Sequence, residues 1–282
     1  RPDGTMKAVS TAIIEDKTKE YRTIIFYPDG KNHREQSALD WQKTGWSLVT
    51  LTTLRIDGSI ESETVRQKNG SYIRTVYTNE KLTLKIETWS ADRTMVRSIF
   101  YAPDGKRVVR QTDENPNEMT VTTFNQNEKV DHIHYWTPSL EVVTAYSSEG
   151  IALVRKLWSV PFGEPEPVKR KISRIEEIQG NNGITRSYSF FLDGKTVQFY
   201  IEKKRAPTGK SITTTYLFDE NGLLKHVESQ DDKGMTLSQK NYKKGIKKEI
   251  PLDPDYLIYK PYKKPPSTLK SKPIPSKPHD AV

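Results

Sequence analysis

Several features that mark enzymes and membrane proteins are missing from this sequence of 282 residues. It contains no cysteine, which excludes disulfides, thiolate zinc sites and cysteine nucleophiles. Its apolar runs are only a few residues long, as at residues 23–27, whereas a membrane-spanning helix needs about 20. Glycines occur singly, and the serine-hydrolase, P-loop, dinucleotide and zinc-protease motifs are all absent. We therefore expect a non-enzymatic chain with no cofactor, no resident metal and no transmembrane helix.

The composition is also poor in apolar residues. Only 34% of the residues are hydrophobic and 29% are charged, which limits how much of the chain can be buried. Threonine and tyrosine are plentiful, and both suit a half-buried pleated sheet. A thin sheet needs less core than a two-layer domain, so the composition favours a single-layer β architecture.

Turn signals are the strongest pattern present. Asp-Gly and Asn-Gly pairs supply the positive φ that tight hairpins need. They recur with weaker turns between them, at a spacing of about twelve residues, which is typical of an all-β meander. Clear examples are Asp29-Gly30, Asp57-Gly58, Asn69-Gly70, Asp104-Gly105, Asn182-Gly183, Asp193-Gly194 and Asn221-Gly222.

Aromatic residues precede these turns in one register, and the segments between turns alternate. The pre-turn residues are Tyr77, Trp89, Tyr101, Phe124, Trp136, Tyr146 and Trp158. Leu82, Leu84 and Ile86 alternate with polar residues, as on a strand with one wetter face. We predict an all-β fold: a long antiparallel meander of β-hairpin repeats forming a curved open sheet. About twelve residues make each strand and turn, and we expect the aromatics to pack on neighbouring strands.

Two breaks divide the chain. We predict β-hairpin repeats over residues 1–158, a Pro-rich linker or long turn at 159–167, and continued repeats over 168–250. Residues 251–282 form a Pro/Lys-rich extended or disordered tail. The turn rhythm resumes after the first break, so the two halves can share one sheet. Residues 169–178 fit either a short helix or the start of a strand.

Four segments carry a resemblance to known repeats. They are Phe26-Tyr27-Pro28-Asp29-Gly30-Lys31, Phe100-Tyr101-Ala102-Pro103-Asp104-Gly105-Lys106, Phe191-Leu192-Asp193-Gly194-Lys195 and Leu217-Phe218-Asp219-Glu220-Asn221-Gly222. They resemble the repeats of bacterial MORN-like proteins of the YwqK antitoxin type and the tyrosine-aspartate repeats of Rhs toxin shells. The resemblance implies sheets of consecutive hairpins with an aromatic before each Gly turn. It implies no catalytic residue.

Some residue pairs invite a chemical role. His132 and His134 lie two apart on a predicted strand, so both project from one face, with Asp131 pointing the other way. Such a pair binds Zn²⁺ or Cu²⁺ when a third ligand arrives from a neighbouring strand. An amphipathic strand face explains the pair better, so they are metal candidates only. Glu61 with Glu63, and Glu176 with Glu177, fit solvated charged faces better than acid/base catalysis.

The functional expectation is a structural or protein-binding scaffold within a larger bacterial envelope or secreted assembly, homo- or hetero-oligomeric. Alternatives are a carrier of a lipid or other apolar ligand on a curved sheet, and a polyanion- or glycan-binding module. The net charge of +9 allows contact with an anionic surface, without specific nucleic-acid recognition. We expect an extracytoplasmic location. The tail candidates for partner binding are Lys260, Lys263, Lys264, Lys270, Lys272 and Lys277.

Overall fold

The computed structural model describes residues 50–159, 170–179, 183–205 and 209–257 in full. It also gives the backbone of the strands before residue 50. The chain forms two compact units, which meet in sequence between Pro116 and Asn117. Across the described ranges, no helix has the length and apolar character needed to cross a bilayer.

Unit 1 is an antiparallel meander in which each strand pairs with the next along the chain. Its described strands are β1 (Ala8–Glu15), β2 (Thr18–Phe26), β3 (Asn32–Asp40), β4 (Trp46–Leu54), β5 (Ile60–Arg66), β6 (Tyr72–Tyr77), β7 (Thr83–Trp89), β8 (Val96–Tyr101) and β9 (Val108–Glu114).

Unit 2 repeats the same connectivity. Its described strands are β10 (Met119–Phe124), β11 (Val130–Trp136), β12 (Leu140–Tyr146), β13 (Ala152–Ser159), β14 (Lys171–Glu177), β15 (Ile184–Phe190), β16 (Val197–Arg205), β17 (Ser211–Phe218), β18 (Leu224–Gln230) and β19 (Thr236–Ile246), and a short 3₁₀ helix follows at Pro254–Tyr256. The predicted all-β antiparallel meander is confirmed in both units.

The hairpin turns follow from local chemistry. In the turn after β4, the Arg55 carbonyl accepts from the Gly58 amide at 2.9 Å, and the Arg55 amide donates to the Ser59 carbonyl at 2.8 Å. Gly58 has a φ of 86°, which completes a type I turn with a left-handed residue after it. Asp57 Oδ1 accepts from the Ser59 amide at 2.9 Å. Polar side chains therefore cap turns that glycine makes possible.

Cross-strand pairing places the core on one face of each sheet. In unit 1 the buried cluster is Leu51, Tyr72, Trp89 and Val96. In unit 2 the larger cluster contains Trp158, Ile172, Ile175, Tyr188, Phe190, Val197, Tyr200, Phe218 and Leu224. A smaller cluster there is Met119, Val121 and Trp136. The pre-turn residues Trp89, Trp136 and Trp158 are therefore buried on their sheets, as expected of packing aromatics.

Two open points of the sequence are resolved by the strands. Of the two alternatives for residues 169–178, the strand is observed, as β14. The strands on either side of the Pro-rich break, β13 and β14, pair directly, with Trp158 opposite Ile172. The repeats on both sides of that break therefore share one sheet, and the division between the units lies earlier, at residues 116 and 117.

Candidate protein-interaction surfaces

A row of stacked tyrosines runs across the buried face of unit 2. Tyr188 pairs in register with Tyr200, and Tyr200 pairs with Tyr216. Successive ring centroids are 5.2 and 5.1 Å apart, with interplanar angles of 17° and 20°. This spacing equals the distance between neighbouring strands. We call Tyr188, Tyr200 and Tyr216 the tyrosine ladder.

A charged row lies beside the ladder on the same face. Arg186 Nη1 donates to Glu177 Oε2 at 3.1 Å, and Arg186 Nε lies 3.7 Å from Glu202 Oε2. The Tyr200 hydroxyl also donates to Glu202, at 2.7 Å. Burial, followed by the hydrogen bond to Glu202, raises the pKa of Tyr200. Burial and the charge of Glu177 raise the pKa of Tyr188. Both hydroxyls are therefore protonated donors at physiological pH.

The chain covers its own ladder. We call residues 247–257 the C-terminal strap. Lys248 Nζ sits 5.0 Å from the ring centroid of Tyr216 on β17. The Pro251 carbonyl accepts from the Tyr188 hydroxyl on β15 at 2.9 Å. The Tyr256 ring lies under Lys156 Nζ of β13, at 4.8 Å. The strap therefore crosses the strands in the direction opposite to chain order.

The geometry of an extended chain explains these contacts. Three extended residues reach about 10 Å, which matches two strand spacings of about 9.5 Å. Ile250, Leu252 and Tyr256 pack against the core cluster, and Tyr188 is 0% exposed. Asp253 ends the extended part by accepting from the Asp255 amide at 2.9 Å. The strap thus supplies the second layer that a single sheet lacks. The predicted start of the tail, at residue 251, falls inside it.

Strand β19 is a long edge strand. Nine of its eleven residues are exposed. Its register pairs are all with β18, and no other described strand pairs with it. Leu237 is 56% exposed and Met235, just before the strand, 66%. Lys240, Lys243 and Lys244 lie within the strand and no acidic residue does. An exposed edge of this kind offers backbone groups to an incoming strand.

Gly245 lies within β19, one residue before the strand ends and the strap begins. Its φ is +72°, and an added Cβ would lie 2.8 Å from the Leu223 Cβ. The β18–β19 register is irregular here, because Leu224 pairs with Ile246 while His226 pairs with Asn241. Both the left-handed φ and the close approach restrict this position to glycine.

The two candidate metal ligands do share a face. The ring centroids of His132 and His134 are 6.1 Å apart, and His134 stacks on Trp136 at 5.3 Å. Asp131 does not point away as expected, since its Oδ2 lies 2.8 Å from His132 Nδ1. Among the described residues, no three His, Cys, Asp or Glu side chains form a metal-binding group. Burial, followed by the charge of His132, lowers the pKa of His134 to about 4.

Three of the four paired carboxylates contact groups outside their pair. Glu63 accepts from the Tyr77 hydroxyl at 2.7 Å. Glu176 lies 2.9 Å from Arg174, whereas Glu177 pairs with Arg186 on the buried face. Adjacent residues on a strand face opposite sides, so Glu176 and Glu177 do not converge on one site.

The lysine candidates of the tail lie outside the described residues. They are Lys260, Lys263, Lys264, Lys270, Lys272 and Lys277. Sequence reasoning missed both the tyrosine ladder and the strap. The twelve-residue spacing of Tyr188 and Tyr200 is the signal that could have indicated the ladder.

The fold defines the chain as an all-β hairpin-repeat protein. No family model and no curated protein matches it. Among solved structures, it is similar to a chain in the crystal structure of TcdB2-TccC3-Cdc42, with 10% sequence identity and a TM-score of 0.21. The match covers 83% of this chain and 16% of that one, so this chain spans about a sixth of the other's length. At this TM-score the likeness carries no functional information.

Proposed function

We propose that this chain is a non-enzymatic scaffold that binds an extended, acidic segment of another protein along the edge of β19. The observation that carries the proposal is the exposed, one-sided edge of β19 in the described structure. An added strand gains backbone hydrogen bonds, and its side chains give specificity.

Charge selects the class of partner. Lys240, Lys243 and Lys244 on β19 are followed by Lys247 and Lys248. Lysines on an edge strand disfavour pairing between identical edges, because like charges would face each other. A partner strand rich in Asp and Glu meets the opposite charge and is favoured.

The alternative of an apolar-ligand carrier is less well supported. The aromatic part of the buried face is filled by the strap, and the corresponding face of unit 1 carries Arg74, Lys85 and Glu87. A lipid carrier would need a continuous apolar lining that is open to its ligand.

The finer parts of the proposal follow from the sequence resemblance. They are membership of the YwqK-type or Rhs repeats, a place in a bacterial envelope or secreted assembly, and an extracytoplasmic location. Fractionation of the native cells, followed by immunodetection of the chain, tests the location. Recovery in the cytosolic fraction alone would refute it.

The edge-binding test selects ligands from a random decapeptide library against the full chain. We expect enrichment of acidic, β-prone peptides that bind less tightly as salt rises. Binding should slow amide hydrogen exchange across β19. Reversal of Lys240, Lys243 and Lys244 to Glu should lower the affinity at least tenfold, by roughly 1.4 kcal/mol.

The matched control reverses three exposed turn lysines of unit 1, Lys68, Lys81 and Lys106, to Glu. This variant should bind the selected peptides as the unmodified chain does. The proposal fails if no acidic peptide is enriched, or if binding leaves the β19 amides unprotected. Equal weakening by both sets of reversals would also refute it, since only net charge would then matter.

A further inference from the structure

We propose that the C-terminal strap exchanges between two copies of this chain, so that residues 247–257 of one copy lie on the tyrosine ladder of the other. This inference is independent of the partner proposed for the β19 edge. It assigns the ladder as a binding groove with a defined occupant.

The contacts on the ladder define what fits there. Lys248 stacks over Tyr216, the Pro251 carbonyl accepts from Tyr188, and Tyr256 takes its place beneath Lys156. Ile250 and Leu252 pack against the core cluster of the same sheet. All of these contacts join the strap to the sheet. The same set is therefore available to the strap of a second copy, whose sequence is identical.

The link between β19 and the strap favours exchange of the strap between copies over its permanent attachment to its own sheet. The last residue but one of β19 is Gly245, which has a φ of +72° and an added Cβ 2.8 Å from the Leu223 Cβ. If the backbone at this residue becomes extended, β19 continues outward and carries the strap away from its own sheet. Extension at this one hinge residue, with loss of the Leu224–Ile246 pair, thus separates the closed form from the exchanged form, and a short hinge of this kind allows low-cost swapping.

A hinge that requires glycine makes the inference testable. A β-branched residue at position 245 is strained in the closed form but is well suited to an extended strand. Gly245→Val should therefore shift the chain from monomer to dimer. We expect the dimer dissociation constant to fall at least about tenfold, because two strained hinges are relieved in each dimer. Light scattering after size exclusion measures the masses across a concentration series.

Gly234→Val is the matched control. Gly234 lies in the turn before β19 with a φ of +79°, and an added Cβ would meet nothing within 4 Å. It introduces similar backbone strain without touching the hinge, so its association state should equal that of the unmodified chain. If Gly245→Val remains monomeric, or if Gly234→Val dimerises equally, strap exchange is wrong.

A cross-linking experiment tests exchange with the hinge intact, in case Gly245→Val does not fold. One full chain carries Lys156→Cys and a second, larger by a tag, carries Tyr256→Cys. The natural sequence has no cysteine, so each copy holds one thiol. After refolding together and treatment with a bis-maleimide whose spacer bridges two long side chains, a thioether-linked heterodimer is expected. Replacing Lys156→Cys by Asp232→Cys, in an exposed turn, is the control. Heterodimer yields that do not exceed this control would overturn the proposal.

Discussion

The two units build the same strand pattern around different central rows. In unit 1 the mid-strand row of the buried face is polar and runs through Thr64, Arg74, Glu87, Ser98 and Thr112. In unit 2 the corresponding row is aromatic or aliphatic and runs through Ile175, Tyr188, Tyr200, Tyr216 and Val227.

The charged groups at the centre of the polar row pair with each other within the sheet. Glu87 is buried, forms an ion pair with Lys85, and has Arg74 Nη1 at 3.8 Å from its Oε2. Arg110 lies 3.8 Å over the Phe100 ring on the same face. The rings of the aromatic row stack on one another, and the strap covers them. The comparison shows that hairpin repeats tolerate either solution when charged groups are paired and rings are covered.

The largest expected effect comes from truncating the aromatic row. Tyr188→Ala removes a fully buried ring and the donor to Pro251. We expect a loss of about 3–5 kcal/mol in the unfolding free energy of unit 2, the range for large aromatic truncations. Hydrogen exchange resolved by peptide should show faster exchange across β14–β17 and unchanged rates across β5–β8. Uniform acceleration in both units would contradict the division of the core.

The second largest effect is expected from a substitution that disrupts the polar row of unit 1. Glu87→Gln leaves the positive charges of Lys85 and Arg74 without their shared carboxylate. We expect a cost of about 1–3 kcal/mol, confined to unit 1, because the partners remain partly exposed to water. Urea titration followed by exchange of the β6–β8 amides measures it. Glu128→Gln, at an exposed turn of unit 2, serves as the control and should change stability little. A stabilised Glu87→Gln protein would show that the row is not held by charge.

The third prediction is a pH dependence of folding stability that is expected in unit 2. Burial lowers the pKa of His134 to about 4 from 6.5, so the unfolded state binds the proton more readily than the folded state does. Unit 2 therefore loses stability as the pH falls from about 6.5 to about 4, by roughly 1–2 kcal/mol after solvent screening. Residues 50–116 of unit 1 contain no histidine, so this segment lacks the contribution.

The His134→Val variant tests that difference, because its neighbours in register are Val121 and Val143. The unfolding free energy of unit 2 is measured by denaturant titration at several pH values. In His134→Val, the slope of this free energy against pH between 6.5 and 4 should be lost. His132→Gln, which removes a half-exposed ring, should retain the slope. If the slope follows His132 instead, the burial of His134 is not its cause.

The smallest effect concerns the strap alone. Tyr188→Phe keeps the ring and removes the hydroxyl that donates to the Pro251 carbonyl. We expect a loss of about 0.5–1.5 kcal/mol, visible as faster amide exchange in residues 248–257. Tyr77→Phe, which removes a hydrogen bond to Glu63 in unit 1, should leave that exchange unchanged. Unaltered strap protection in Tyr188→Phe would show that packing alone holds the strap.

The hairpins could be predicted because adjacent residues determine each turn. The packing of segments that are distant in the chain could not be predicted from these local signals. Asp57-Gly58 and Asn221-Gly222 specify their own turns through φ and side-chain caps. The turn between β6 and β7 contains no glycine, and Lys81 takes the left-handed position there. These signals depend on four or five adjacent residues.

The strap depends on residues far apart in the chain. Its composition of proline and lysine matches that of an extended tail. The sequence of residues 247–257 does not indicate which sheet the strap covers. The ladder is hard to predict for a related reason. Tyr188 and Tyr200 lie within their strands, whereas the turn pattern in the sequence marks only the aromatic residues that precede turns. Periodicity identifies strands, but it does not identify which face a distant segment covers.

The distance between strap and ladder along the chain has a consequence for the order of folding. Hairpin contacts join neighbouring strands, whereas the Tyr188–Pro251 hydrogen bond joins residues 63 positions apart. Contacts of low sequence separation form early, and closure of a long loop comes late. During synthesis, the sheet of unit 2 therefore assembles with its rings open to solvent, and it is sealed only after residue 257 has left the ribosome. In that interval the nascent chain carries an unsealed aromatic surface that chaperones and neighbouring nascent chains can reach.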